Sequence, residues 1–435
     1  MLLCWVSFLI SLGFGAILGV LPYYMLYLVG ELTELPEELG RIGTAGGYAL
    51  EYGALMSAFM LTRALLARYF GSLSDRVGRK RLIIVGTAMY VFLSFAYILS
   101  TTLTQLYLIR GLQGVASAMV WPVAEALLMD STEQEFRARA MALYMISTNV
   151  AWILGPAIGV AAYKIGVRYL RISDVGAALR FPFLFLTVFS AAGLPATFLL
   201  SERRLPSPKT RKEDSRVDVD MHRTVRRSLN AIYVMALANG FAMGFSGPLM
   251  GLFVVQFISS DPAALAIVTT VSGAIGLAAA YPAGKLADAF GRRPIIIAGG
   301  LASRLMTALM PFSSDVEGLT ALATVRSIAF NSSQPAMRAL QADLVPESVR
   351  GRIFGTVQAM FNVGAVVGPL LGGQLYGHFH EVTLSLGPIS APGVALSFWV
   401  GALIGIFSII VFAAFVEEPR APPSRLNSAE LLDAG

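Results

Sequence analysis

Two stretches of this chain are near copies of one another, 213 residues apart, and each lies between long apolar runs. The first, at 71–81, reads Gly-Ser-Leu-Ser-Asp-Arg-Val-Gly-Arg-Lys-Arg; the second reads Gly284-Lys-Leu-Ala-Asp288-Ala-Phe-Gly291-Arg292-Arg293. Gly71, Leu73, Asp75, Gly78, Arg79 and Lys80 recur as Gly284, Leu286, Asp288, Gly291, Arg292 and Arg293. A tight basic loop between two apolar segments belongs at a membrane surface. One copy in each half indicates a duplicated membrane protein. At the same spacing Pro122 matches Pro335, Asp130 matches Asp343, Asn149 matches Asn362, and Gly155-Pro156 matches Gly368-Pro369. An even number of helices per half makes the halves parallel, related by an axis along the membrane normal.

Composition agrees with a bilayer. Hydrophobic residues make up 56% of the 435 and charged residues 14%, where a soluble chain carries about 25% charged residues. Mean hydropathy is +0.67. The one cysteine, Cys4, sits in an apolar run, so there is no disulfide framework. The first segment lacks a basic leader and a small-residue cleavage site and is read as a helix, not a signal peptide. Apolar segments of about 20 residues each fall at 4–28, 48–70, 82–101, 104–129, 140–164, 181–200, 228–257, 264–283, 294–312, 318–342, 353–377 and 393–416. The expected fold is therefore an all-α membrane protein with twelve transmembrane helices in two pseudo-symmetric bundles. The first bundle spans 1–200 and the second 228–416, with a polar linker at 201–227 and a tail at 417–435.

With an even helix count both termini share a side. That side receives about 23 of the 33 Lys and Arg residues, which places it, and both termini, in the cytoplasm. The net charge of +6 and pI near 9.4 reflect this loop asymmetry, so no nucleic-acid partner is read from them. Lys164, Arg168, Arg171 and Arg180 face only Asp174 on the outer side, against the rule; an interfacial helix is the expectation there.

The paired loops resemble the signature loop of the major facilitator superfamily, which joins the second and third, and the eighth and ninth, helices. The resemblance covers nearly the whole chain, with a departure at Ala289, where the family often has Arg. It implies a conformational latch at the cytoplasmic ends: Gly71, Asp75, Arg76, Gly78, Arg79 and Asp130, repeated as Gly284, Asp288, Gly291, Arg292 and Asp343. Asp75 would face the start of helix eleven. The plain alternative is a topogenic basic loop. Gly155, Pro156 and Gly159 resemble the helix-five motif of drug/proton antiporters, departing at Val160. Gly368, Pro369 and Gly372 repeat it on helix eleven, and close packing of small residues explains both.

Arg110-Gly-Leu-Gln113-Gly114 resembles the family's helix-four motif. Arg110, Gly114, Ser117, Trp121 and Glu125 share one face, a stripe about 22 Å long. A charge in lipid costs about 2.5–3.5 kcal/mol or more, so such residues face the bundle interior or a watery cavity. Arg110 either lines that cavity or is a structural arginine bonded to Gln113. Asn331, Gln334 and Arg338 share a face on helix ten, and Arg338 and Glu125 each stand three residues after a matched proline. They form either a gate across the pseudo-axis or separate pairs within each half. Arg326, Asn239, Asn362, Tyr23 and Tyr24 complete the candidate cavity, while Arg304 falls on a helix that is peripheral in the family.

If protons are coupled, Glu125 or Glu51 must carry them, since no histidine is embedded and a desolvated carboxylate binds protons more readily. No nucleotide-binding loop of the Gly-x-x-x-x-Gly-Lys-Ser/Thr type is present, so a gradient drives the cycle. No metal, cofactor or catalytic group is expected. The expectation is a monomeric secondary transporter of the cytoplasmic membrane whose partners are a small solute, a proton or other ion, and lipid. Its first reading is proton-coupled efflux of amphipathic, drug-like compounds. An organic-anion or sugar transporter is the alternative, and a non-transporting membrane sensor or scaffold is the rival from another class.

Overall fold

A computed structural model describes residues 1–202, 223–344, 347–386 and 389–416. The central part of the expected linker and the whole expected tail lie outside the described residues. Twelve long helical segments are present among those described. They are α1 (Leu2–Leu28), α2 (Ala49–Val77), α3 (Arg79–Leu99), α4 (Leu103–Asp130), α5 (Arg137–Arg168) and α6 (Val175–Phe198), then α7 (Arg223–Ser246), α8 (Pro262–Phe290), α9 (Arg292–Leu309), α10 (Val316–Asp343), α11 (Glu347–Phe379) and α12 (Ala395–Phe415). Eleven helical segments among the described residues are long and apolar enough to cross a membrane. Helix α10, at 28 residues, has the length but not the apolarity. Arg326, Asn331, Gln334, Arg338 and Gln341 interrupt it. Phe92 is 69% exposed and Phe407 63% exposed, because the outer surface of a membrane bundle meets lipid rather than water.

The signature stretches are shorter corners than expected. Helix continues through Val77 and restarts at Arg79, and likewise through Phe290 and from Arg292. A single glycine makes each turn: Gly78 at φ 103° and Gly291 at φ 90°, backbone that only glycine adopts at low cost. On the opposite face aspartate side chains cap helices by accepting backbone N–H groups left unpaired by the first turn. Asp174 accepts from Ala177 (2.7 Å), Asp261 from Ala263 (2.8 Å) and Asp315 from Gly318 (2.7 Å). No separate interfacial helix forms between α5 and α6. The expected start of helix seven at 228 moves back to Arg223.

Within the first half α1 packs on α5 and α6, and α2 on α4; within the second, α7 packs on α11 and α12, and α8 on α10. The repeat-related Gly155 and Gly368 both sit at glycine-on-glycine crossings. A β-carbon on Gly155 would lie 2.5 Å from Gly15 Cα, and one on Gly368 would lie 2.9 Å from Gly244 Cα. A β-carbon on Gly159 would overlap the carbonyl of Ala16, and one on Gly372 would stand 2.9 Å from Phe245 Cα. Pro156 lies against Gly19 and Pro369 against Gly244.

The halves meet along α2 with α11 and α5 with α8. The described polar contacts between them gather toward the face opposite the corners. Ser57 Oγ donates to the Val366 carbonyl (2.7 Å), Ile42 N to Val255 O (3.1 Å), and Ser260 N to Gly40 O (2.8 Å). Ser260 Oγ also donates to Pro36 O. Two short antiparallel strands, Thr383–Leu386 and Ile389–Pro392, lie between α11 and α12, in a stretch that the sequence reading left outside its helices. Gly53 and Gly373 set the spacing, since a β-carbon on either would overlap a carbonyl oxygen of the other half, Pro369 for Gly53 and Ala49 for Gly373.

Candidate functional site

At the corner face, Arg79 uses both ends of its fork. It hydrogen-bonds Asp75 at 3.2 Å and forms an ion pair with Asp130 at 2.7 Å, so one guanidinium ties α2 to α4. Its backbone N–H donates to Glu202 at 2.6 Å, and Lys80 donates to the Phe198 carbonyl at 2.7 Å. Ser74 Oγ caps back to the Gly71 carbonyl at 2.6 Å, and Arg76 is exposed. In the second copy Arg292 pairs with Asp343, and Arg293 donates to the Ala413 carbonyl. The side-chain surroundings of Gly284 and Asp288, and the first turn of α11 that Asp75 was expected to face, lie outside the described residues.

Two cavities lie within the halves. The smaller, about 160 Å³, is lined by Phe14, Phe59, Arg63, Tyr90, Trp121, Glu125, Tyr144, Asn149 and Trp152 among others. The larger, about 730 Å³, is lined by Asn239, Arg304, Arg326, Gln334, Arg338 and Gln341, with methionine and phenylalanine walls. Glu125 is the one carboxylate on the walls of these two cavities. It faces one cavity and Arg338 the other, and no ion pair joins them among the described residues.

Several expected cavity residues are elsewhere. Arg110 is 1% exposed, donating to Gln113 Oε1 (3.0 Å) and Met56 Sδ (3.2 Å). Its guanidinium carbon stands 5.2 Å from the Phe14 ring centroid. Tyr97 donates to the same Gln113 oxygen at 3.0 Å. The expected stripe therefore divides: Trp121 and Glu125 reach the smaller cavity, while the Arg110 end is covered by α2, whose Thr62 and Phe59 press on Gly114.

Tyr23 and Tyr24 are wholly buried, and Tyr24 donates to the Ser100 carbonyl at 2.5 Å. Asn331 bonds back to Ser327 (2.9 Å) and Asn362 accepts from Gln358 (3.0 Å); neither lines the larger cavity. Glu51 lies on α2 near the opposite face, away from both cavities, with a buried, unpartnered Oε2.

Arg304 corrects the sequence reading in the other direction. It is not peripheral but 8% exposed, lines the larger cavity and donates to Asn239 Oδ1. Tyr144, Thr148 and Trp152, all on the smaller cavity, were missed. Their four-residue spacing is one face of a helix, and that periodicity was the available signal.

The family model described as Major Facilitator Superfamily matches residues 3–232 and 232–434. The chain belongs to the major facilitator superfamily. Among curated relatives, Multidrug resistance protein 2 of Bacillus subtilis (strain 168) is 24% identical over 403 residues, covering 90% of this chain and 92% of that protein. Quinolone resistance protein NorA of Staphylococcus aureus (strain COL) is 24% identical over 373 residues, covering 85% and 87%. A solved bacterial homolog of the human lysosomal transporter Spinster, inward-facing and occupied, superposes with TM-score 0.68 at 14% identity, covering 96% of this chain and 98% of that one. A mutant of the nucleoside transporter NupG gives 0.65 at 15% identity, covering 96% and 99%. This member of the superfamily is accordingly a multi-pass membrane transporter and not an enzyme.

In a superfamily transporter the contact between halves must open and close, and here the closed end carries a polar cluster. Lys164 of α5 pairs with Asp261 at the start of α8, 2.9 Å apart. One carboxylate oxygen of Asp261 caps its own helix while the other takes the lysine. Half-exposed pairs of this kind contribute about 1 kcal/mol. Lys164→Gln and Asp261→Asn, which keeps the cap, are each expected to weaken closure by about fivefold. The double variant should be no worse than either single one. Spin-label distances between Glu34 and Glu381 positions read the effect; additive losses would show that the pair does not act as a unit.

Glu37 lies beside this pair. Burial, then the charge of Asp261, raises its pKa, and Lys164 and Arg168 only partly oppose them. When the face opens, water reaches the carboxylate and its pKa falls back toward the ordinary 4.5. Closure therefore takes up a proton. Its stabilising effect is full below the ordinary value and is lost as pH rises through the raised one. Acidifying the solution that bathes this face is expected to shorten the Glu34–Glu381 distance in wild type and leave Glu37→Gln unchanged. An identical pH response in the variant would assign the effect to another group.

Proposed function

We propose that this transporter is a proton-coupled exporter of amphipathic compounds in the cytoplasmic membrane. It works by rocking the bundles 1–200 and 228–416 about the central axis, with the corner face, linker and both termini in the cytoplasm. The observation that carries the reading is Glu125, the one acidic side chain on the cavity walls, set among Phe14, Tyr90, Trp121 and Trp152. A carboxylate at membrane depth keeps its charge only beside a cation or a watery space. A proton and an arginine can therefore alternate as its neutralising partner. Arg338 is the arginine proposed for the state closed toward the cytoplasm, and Arg63 shares the Glu125 cavity. The Arg79–Asp75–Asp130 network acts as the latch of the first half and Arg292–Asp343 as that of the second. The multidrug and quinolone resistance names of the curated relatives support efflux of drug-like solutes.

The test is purified protein in liposomes loaded with a pH-sensitive dye, challenged with a panel of amphipathic compounds. Solute-evoked proton movement is the expected result. Saturable solute flux with no proton movement would replace coupling by facilitated transport or exchange. No flux of any kind would favour the sensor or scaffold reading.

A further inference from the structure

The larger cavity is chemically one-sided. Three arginines line it, Arg304 on α9 and Arg326 and Arg338 on α10, and no aspartate or glutamate does. Among the described residues none of the three has a carboxylate within ion-pair distance. Arg304 and Arg326 stand on the walls of one cavity, like charge facing like. Arg304 is held against α12 at Gly405, where a β-carbon would collide with the guanidinium, and it reaches Asn239 of α7. The Nε of Arg326 is buried and has no hydrogen-bond partner. Neighbouring cations without a carboxylate partner are unfavourable in a membrane interior, and these donors converge where an anionic group would neutralise them.

The rest of the wall describes the remainder of that molecule. Met235, Met243, Phe330, Met337, Phe354 and Phe361 form an apolar sleeve around a space of about 730 Å³. Arg338 stands 12 residues beyond Arg326 on the same helix, about 18 Å nearer the corner face.

We propose that the second half carries a binding site for amphipathic organic anions. The carboxylate or sulfonate is seated deep, between Arg304, Arg326 and Asn239. The apolar body fills the sleeve, and Arg338 attracts the anion at the mouth. A planar guanidinium fork can bond two oxygens of a carboxylate or sulfonate at once, as a point charge cannot. The inference rests on the transporter reading for its physiological meaning and names the solute class that this reading leaves open.

The test is equilibrium binding to the full chain in lipid nanodiscs, by scintillation proximity, with two tritiated probes of one shape: naphthalene-2-sulfonate and 2-naphthylmethylammonium. The sulfonate is expected to bind at least about tenfold more tightly than the ammonium. Arg326→Gln should weaken the sulfonate by about tenfold or more and leave the ammonium within about twofold, while Arg326→Lys retains part of the affinity. If Arg326→Gln does not fold, Gln334→Glu serves instead: an added wall carboxylate should expel the sulfonate and admit the ammonium. Equal affinity for both probes, or no response of the sulfonate to these substitutions, overturns the site. Sulfonate binding without flux in proteoliposomes would retire the transport reading and keep the site. Glu125-dependent flux of the ammonium, with no sulfonate binding, would do the reverse.

Discussion

Glu125→Gln is expected to abolish solute-evoked proton movement in proteoliposomes, a loss on the order of 100-fold, while leaving solute binding within about threefold. Glutamine keeps the shape and the hydrogen-bonding atoms of the side chain but neither takes nor releases a proton. No second carboxylate lines either cavity, so nothing on those walls can substitute. Glu125→Asp should keep a measurable fraction of the coupling. Proton movement at wild-type rate in Glu125→Gln would move the proton to Glu51, whose unpartnered buried oxygen makes it the next candidate. The partner is tested separately. If Glu125 and Arg338 meet when the corner face closes, Glu125→Arg combined with Arg338→Glu should transport better than either single variant. A double variant no better than the singles would leave each residue acting within its own half.

The second large effect is steric. Gly53→Val is expected to hold the transporter open on the face opposite the corners, with the helices still folded. A β-carbon at Gly53 has no room beside the Pro369 carbonyl, and Gly373 is the reciprocal contact on α11. Both lie between halves, so the overlap is relieved by separating the bundles rather than by deforming one of them. Overpacking of this kind costs about 1–3 kcal/mol, enough to shift a two-state population by about 5- to 150-fold. Spin labels at Glu34 and Glu381, one on each half and both exposed, should report a longer distance in Gly53→Val and in Gly373→Val. Gly155→Val is the control, since its clash lies within one bundle. It should lower thermal stability without that distance change. Unchanged distances in folded Gly53→Val protein would show that the halves accommodate the side chain without opening.

The repeat was legible because its spacing is constant and its members are chemically distinctive. Gly71, Asp75, Gly78 and Arg79, with their copies, carried the superfamily resemblance, and the turns at Gly78 and Gly291 are where the resemblance put them. Helix ends were less legible. Capping by Asp174 and Asp315 extends α6 and α10 beyond their apolar windows, and hydropathy does not register a cap. The contacts that close the opposite face were invisible for another reason. Lys164 and Asp261 are 97 residues apart and not repeat-related, so neither pattern nor symmetry links them. Their pairing, with Arg180 donating to the Ser100 carbonyl at 3.2 Å, gives two of the four basic residues that topology left unexplained on that side a place in the structure. A helical stripe marks polar residues on one face, but it does not reveal which end a neighbour covers. Arg110 and Glu125 share a face, yet α2 buries the first and leaves the second open.

The two single-glycine corners also bear on how force travels through each bundle. An eleven-residue loop between α2 and α3 would be a tether with slack. One residue in the left-handed region, with helix on both sides, is a stiff elbow. The helices it joins must swing together, and displacement at either end reaches the other undiminished. The same stiffness shields a stretch rich in trypsin targets. Arg76, Arg79, Lys80 and Arg81 sit in helical backbone that a protease would first have to unwind.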